Sequence, residues 1–242
     1  MLIAITGHKG NGKDTVGAIL AEEYGFKKES FAKPLKDAIQ SMLGLTDEQV
    51  NHPQWKESPI PNLYGITPRY LMQSLGTAWG RDTINKNLWA DLCIQRIVSH
   101  HPRQFVSTEY ISNWYISDLR FQNEHQTVRD VGGYVWRVRR NSVSSNEFSS
   151  HQSETEMDSL DSDFDIDNSR DMDYLRSGVR VAYLMLVVRE IKAGKASGDH
   201  LHFALNKCDK ILRSDLISII GSSSERSPAI DDALFSYQTQ VV

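Results

Sequence analysis

The chain has 242 residues, 40% of them hydrophobic and 24% charged, which fits one large folded domain or one with an appendage. Its net charge of −4 argues against a dedicated nucleic-acid binder, and its two cysteines are too few for a disulfide framework. No apolar run approaches the roughly 20 residues of a membrane span, and the start lacks the pattern of a secretion signal, so a cytoplasmic protein without membrane attachment is expected.

Leu2 to Thr6 is apolar and β-branched and reads as a short buried strand. A glycine-rich turn, Gly7 to Gly12, leads into a helix with Val16, Ile19, Leu20 and Tyr24 on one face, closed by Gly25. Phe26 to Phe31 suits a second strand. Pro34 opens a helix carrying Leu35, Ala38, Ile39 and Met42 as far as Gly44. From Leu45 to Ile66 three X-Pro steps interrupt any periodicity, and a long surface loop is expected. Thr67-Pro68 reads as a helix N-cap with proline at the first position, and Leu88 to Val98 as a further helix.

Trp114 to Asp118 reads as a strand ending in a carboxylate, Phe121 to Val131 as a helix stopped by Gly132-Gly133, and Tyr134 to Val138 as the next strand. The serine-rich stretch Asn141 to Ser153 is expected to be a mobile loop. Phe164 to Asn168 suits a short strand and turn, and Leu175 to Ile191 a long helix. Beyond Lys192, Gly194 and Gly198 mark a linker, followed by weak helical character near Leu205–Ile220 and a serine-rich end. Strands alternating with helices imply an α/β fold with a mainly parallel sheet.

The chemistry begins at Gly7-x-x-x-x-Gly12-Lys13, which follows a strand and opens a helix. Such a turn gathers backbone N–H groups into an anion nest at a helix N-terminus, and Lys13 adds a charge toward the β- and γ-phosphates. The residue after Lys13 is Asp14 rather than the usual hydroxyl, which comes one position later at Thr15. Phosphate chemistry calls for further cations, and Arg69, Arg81, Arg120 and one of Arg137, Arg139 or Arg140 are the candidates. No protein-held metal site is expected, because His100-His101 and His200-Leu201-His202 lack companion ligands at metal spacing. Cys93, on an apolar helix face, suits the core.

Gly12-Lys13-Asp14-Thr15 resembles the loop of the phage-type deoxynucleoside monophosphate kinases, and further segments follow in the family's order. They are Phe31 to Asp37, Arg69 to Thr77 (Arg-x-Leu-Met-Gln-x-Leu-Gly-Thr), Trp89, Asp118-x-Arg120-x-x-x-Glu124, His151 to Glu154, and Asp165 to Asn168. The resemblance covers roughly Met1 to Lys192. It implies a P-loop kinase fold, with a mainly parallel sheet flanked by helices and a small lid at about residues 140–160. Residues 193–242 would be a C-terminal extension of unknown role.

The resemblance further implies transfer of the γ-phosphate of ATP, as Mg-ATP with Mg²⁺ as cofactor, to a deoxynucleoside monophosphate. Lys13, Arg69 and Arg120 would carry catalysis. Lys9, Gly10, Gly12, Lys13, Asp14, Thr15, Arg139 and Asn168 would bind ATP. Leu35, Lys36, Arg69, Gly76, Thr77, Trp89, Asp118, Arg120 and Glu124 would bind the acceptor. Trp89 fits either the nucleotide or the core, and Arg120 and Glu124 fit either the acceptor or an ion pair on one helix face. Dimers are frequent in such families, and a phage origin would place the protein in a host cytoplasm. Two other readings stay open: a dephospho-coenzyme A or phosphomevalonate type of kinase, and a non-catalytic nucleotide-binding module that docks a partner through its tail.

Overall fold

The computed structural model describes residues 1–99, 113–140, 156–208, 213–214, 216–218, 220 and 227–240. Five strands form one sheet: β1 (Leu2–Thr6), β2 (Lys27–Glu29), β3 (Trp114–Ile116), β4 (Tyr134–Arg139) and β5 (Phe164–Asp167). Their order is β2-β3-β1-β4-β5, and every pairing is parallel. Ile3, Ala4 and Ile5 of the central strand are fully buried, as expected of a strand covered on both faces. The chain fills β2 and β3 on one side of β1 and then crosses to β4 and β5 on the other, so a crevice opens at the carboxyl end of β1, where ligands of open α/β sheets bind.

On one face, α1 (Lys13–Tyr24) packs beside α7 (Met172–Lys192). Gly17 lets α1 approach the sheet, since a Cβ there would fall 2.2 Å from the Tyr115 ring. Arg176 and Arg180 of α7 bracket the buried Glu23 of α1, at 2.8 Å from Arg176 and 2.8–2.9 Å from Arg180. On the other face, α5 (Leu88–Ser99) and α6 (Gln122–Asp130) cover Ala4, Ile116 and Val135.

A third, smaller core belongs to a lobe beside the sheet, made of α2 (Lys33–Leu43), α3 (Asp47–Asn51) and α4 (Pro68–Gln73). Leu35, Ile39, Leu45, Val50 and Trp89 are its buried residues. The long loop expected between Leu45 and Ile66 is therefore partly helical. Thr46 and Gln49 form a reciprocal capping box, and Val50 anchors the turn that follows. A 3₁₀ turn follows at Trp55–Glu57. Thr67 caps α4 as its sequence implies, accepting from the Tyr70 N–H at 3.2 Å.

The expected linker after Lys192 carries no break in the core. Helices α8 (Gly198–Asn206) and α9 (Pro228–Gln240) pack on α7. Leu201, Leu205, Ile230 and Leu234 join the cluster that contains Ile3 and Ile5. The end expected to be merely serine-rich is thus a helix from Pro228 onward. Among the described residues, no helix is long and apolar enough to cross a membrane. The expected lid falls largely outside the described residues, as does His151-Gln152-Ser153-Glu154.

Candidate active site

The glycine turn lies at the crevice, between β1 and α1. Gly7, Gly10 and Gly12 have φ of 137°, 86° and 95°, the left-handed region that side chains rarely adopt. At Gly7 a Cβ would fall 2.4 Å from the Val138 carbonyl oxygen, and at Gly12 2.2 Å from Asn168 Nδ2. The turn is fastened from β4 and from the end of β5. Asn11 Nδ2 donates to the Val138 carbonyl at 3.0 Å, and Asn168 Nδ2 donates to the Asn11 carbonyl at 2.8 Å. Lys13 folds over the loop, its Nζ donating to the carbonyls of Gly7 at 2.5 Å and His8 at 2.9 Å. Lys9 and Gly10 are exposed at the loop's tip, and Thr15 is half-buried in the first turn of α1.

Asp14 Oδ1 accepts from Lys28 Nζ at 2.9 Å and Ser117 Oγ at 2.8 Å. Partial burial pushes this carboxyl up, but those two hydrogen bonds and the neighbouring lysines outweigh it and hold it below its ordinary pKa. Asp14 therefore ties α1 to β2 and β3. Asp118, just past β3, accepts from the N–H groups of Phe31 and Ala32, each at 3.0 Å. Its carboxylate fixes the start of α2, which carries Leu35 and Lys36. Lys36 is half-buried and donates to Asn51 Oδ1 at 2.7 Å, whereas Leu35 points into the lobe's core.

After α4 the chain continues as an eleven-residue π-helix, Ser74–Ile84, a rare form that concentrates at functional sites. Trp89 gives it a physical cause. Its indole N–H donates to the Gly76 carbonyl at 2.8 Å, competing with the helical ladder, and its ring fills the space where a Gly80 Cβ would sit. Trp89 is buried and serves the core, and of its two sequence readings this is the one the structure realises. Thr77 is exposed on the same helix, where it borders a cavity of about 800 Å³ between the π-helix and α6. Arg69, on α4, is half-exposed and paired through Nε with Glu57.

The ion pair between Arg120 and Glu124, the alternative to acceptor binding that their spacing allows, is not formed. Arg120 precedes α6 and offers Glu124 only its backbone N–H, at 2.9 Å; the Phe121 N–H adds a second at 3.2 Å. The Glu124 carboxylate instead binds Arg81 Nη2 at 2.5 Å, and that guanidinium stacks on the Phe121 ring, 3.8 Å from its centroid. Glu124 is 3% exposed. Burial pushes its carboxyl up to about 7, against the pull of Arg81. The Arg120 side chain is left exposed. Arg139 is also exposed and pairs with Asp165 at 2.9 Å.

Sequence reasoning passed over Lys56, in the segment read as a loop. Burial first, then the nearby charges of Arg69, Lys36 and Lys9, hold its ammonium below the ordinary pKa, with Glu57 opposing. Asn51, at the end of α3, holds Lys36, and Glu57, next to Lys56, holds Arg69. Lys28 and Ser117, the partners of Asp14, carried no sequence signal at all.

A family model described as deoxynucleotide monophosphate kinase matches residues 1–66 and 58–179. A protein of Acanthamoeba polyphaga mimivirus, named "Putative deoxynucleotide monophosphate kinase", is 36% identical over 167 residues, covering 67% of this chain and 84% of that protein. Among solved structures, dephospho-CoA kinase from Campylobacter jejuni matches at 18% identity with a TM-score of 0.41, over 80% of this chain and 98% of that one. With the parallel sheet and the phosphate loop at its crevice in place, the family match leads to one conclusion: this chain is a phosphotransferase belonging to the deoxynucleotide monophosphate kinase family.

Proposed function

We propose that the chain moves the γ-phosphate of ATP directly onto the phosphate of a deoxynucleoside monophosphate, giving ADP and a deoxynucleoside diphosphate. The observation that supports this most is the glycine turn with Lys13 at the sheet's crevice, next to a lobe whose first helix is fastened to the carboxyl end of β3 by Asp118. One polyanion on the loop and a second on the lobe would meet there. An acceptor phosphate oxygen is already a competent nucleophile, so no general base is needed. Catalysis is positioning and charge neutralisation.

In this reading the loop N–H groups and Lys13 hold the β- and γ-phosphates, Lys13 exchanging its two loop carbonyls for phosphate oxygens. Gly10 and Gly12 let the backbone close on them. Arg69 grips the acceptor phosphate, which a guanidinium binds in bidentate fashion, and exposed Arg120 neutralises charge on the transferring group. Thr77 and Gly76 border the acceptor. Asp118 and Glu124 act through what they hold: the start of α2 for the first, Arg81 and the Arg120 backbone for the second. Asn168 braces the loop while the nucleotide lies beside it, and Arg139 stands at the edge. Mg²⁺ takes hard oxygen ligands and binds mainly through substrate phosphates. Asp14 and Thr15 are the oxygen-bearing side chains next to the loop and fit that chemistry. When bound with ATP, the ion would neutralise phosphate charge.

The test is ADP release with ATP, Mg²⁺ and each deoxy- and ribonucleoside monophosphate in turn. Turnover with at least one deoxynucleotide is expected. ATP binding without turnover across the set would overturn the acceptor assignment.

A further inference from the structure

We propose that Lys56 binds the acceptor phosphate together with Arg69 and Lys36, as a third cation contributed by the 3₁₀ turn of the small lobe. The proposal rests on the acceptor reading above and adds a residue that the sequence motifs do not contain.

The turn Trp55–Glu57 is held in register by backbone hydrogen bonds, Lys56 N–H to the His52 carbonyl at 3.1 Å and Ser58 N–H to the Trp55 carbonyl at 3.1 Å. It is also fastened on both sides to acceptor cations. Upstream, Asn51 Oδ1 accepts from Lys36 Nζ at 2.7 Å. Downstream, Glu57 pairs with Arg69. Lys56 sits between these two ties, half-buried where Trp55 and Glu57 on either side are exposed. Lys28, Lys33 and Lys36 each donate to a named oxygen. No hydrogen bond or ion pair fixes the Lys56 ammonium among the described residues.

A half-buried ammonium with no fixed partner is unfavourable in the resting protein, held below its ordinary pKa by burial first and then by the Arg69, Lys36 and Lys9 charges against the pull of Glu57, and an arriving dianion relieves it. A phosphate monoester carries about −1.5 to −2 charge at pH 7, more than one guanidinium neutralises. Arg69 is already shared with Glu57. A second and third cation in the same place give the acceptor phosphate a full complement of charge, while Lys13 remains committed to the donor phosphates.

Steady-state kinetics on wild type, Lys56→Ala and Lys56→Arg, varying each substrate against saturation by the other, provide the test. Lys56→Ala should raise the acceptor KM about tenfold or more and leave the ATP KM within about twofold, and Lys56→Arg should recover most of the loss. Equilibrium titration with the preferred deoxynucleoside monophosphate and with its unphosphorylated deoxynucleoside gives a second readout. The alanine variant should lose affinity for the first and keep it for the second. An unchanged acceptor KM, an equal rise for ATP, or the same loss toward the deoxynucleoside would each overturn the assignment while wild type still turns over. Wild-type protein that neither binds nor phosphorylates any deoxynucleotide would overturn the acceptor reading itself, and Lys56 with it.

Discussion

The phosphate loop and the small helical lobe are built by different means. The loop hangs on the central strand of the sheet, and its shape is dictated by contacts with little freedom: three glycines at positive φ, the Val138 carbonyl against Gly7, and amide hydrogen bonds from Asn11 and Asn168. The lobe has a core of its own, five buried residues, and its cations Lys36 and Arg69 sit on long side chains with the exposed partners Asn51 and Glu57. A donor site must hold one polyphosphate in one pose, which suits a rigid cradle. On the proposed reading the lobe, with few buried contacts, is the part of the molecule that can yield when the acceptor arrives.

Substitutions can break this contrast or sharpen it. Lys13→Ala should have the largest effect, lowering kcat by about 10²–10³, as removal of a preorganised charge usually does. Single-turnover rates would report it, and near-normal rates would mean that the loop is not the phosphate site. Gly12→Ala attacks the cradle's shape. Its φ of 95° and the 2.2 Å approach to Asn168 Nδ2 leave no room for a methyl group. A cost of about 1–3 kcal/mol in unfolding free energy, with weaker ATP binding, is expected; an unchanged melting curve would show that the loop is softer than described.

Arg69→Lys should be milder and one-sided. The acceptor KM should rise by roughly tenfold as bidentate binding is lost, with ATP binding intact. Equal loss of both substrates would make Arg69 a structural residue. The last effect is on the pH dependence of stability and not on turnover, and it concerns Glu124, whose carboxyl burial pushes up from 4.5 to about 7 in the folded protein. The folded state then keeps a proton that the unfolded state has lost. Its contribution to stability is full at low pH and falls as pH rises through the window from 4.5 to about 7. Glu124→Gln should flatten that fall in denaturant melts taken across the window, and an identical pH slope in the variant would contradict the assignment.

The same contrast explains what the sequence made legible. The strand, glycine turn and helix from Leu2 to Gly25 were readable because each local rule pointed the same way: an apolar run, then glycines, then a 3.6-residue period. The lobe was harder. Its prolines at 53, 59 and 61 hid a five-residue helix at Asp47–Asn51, although Thr46-x-x-Gln49 was a capping signal in plain view. The π-helix had no local signature. It follows from a tryptophan thirteen residues beyond Gly76, whose indole reaches that glycine's carbonyl. Partners chosen across the chain were equally hidden. Glu124 and Arg120 look paired by spacing, yet burial and the reach of the Arg81 guanidinium settle the matter otherwise. The tail gave little periodicity because its apolar residues answer to α7 rather than to a face of their own.

The most direct test of the account is to follow the label of γ-labelled ATP in the wild-type protein with its preferred deoxynucleoside monophosphate, before and after Lys13→Ala. The account predicts label in the deoxynucleoside diphosphate, in step with ADP, and its loss in the variant. Label released only as inorganic phosphate, or passed to the deoxynucleotide as readily without Lys13, would contradict it.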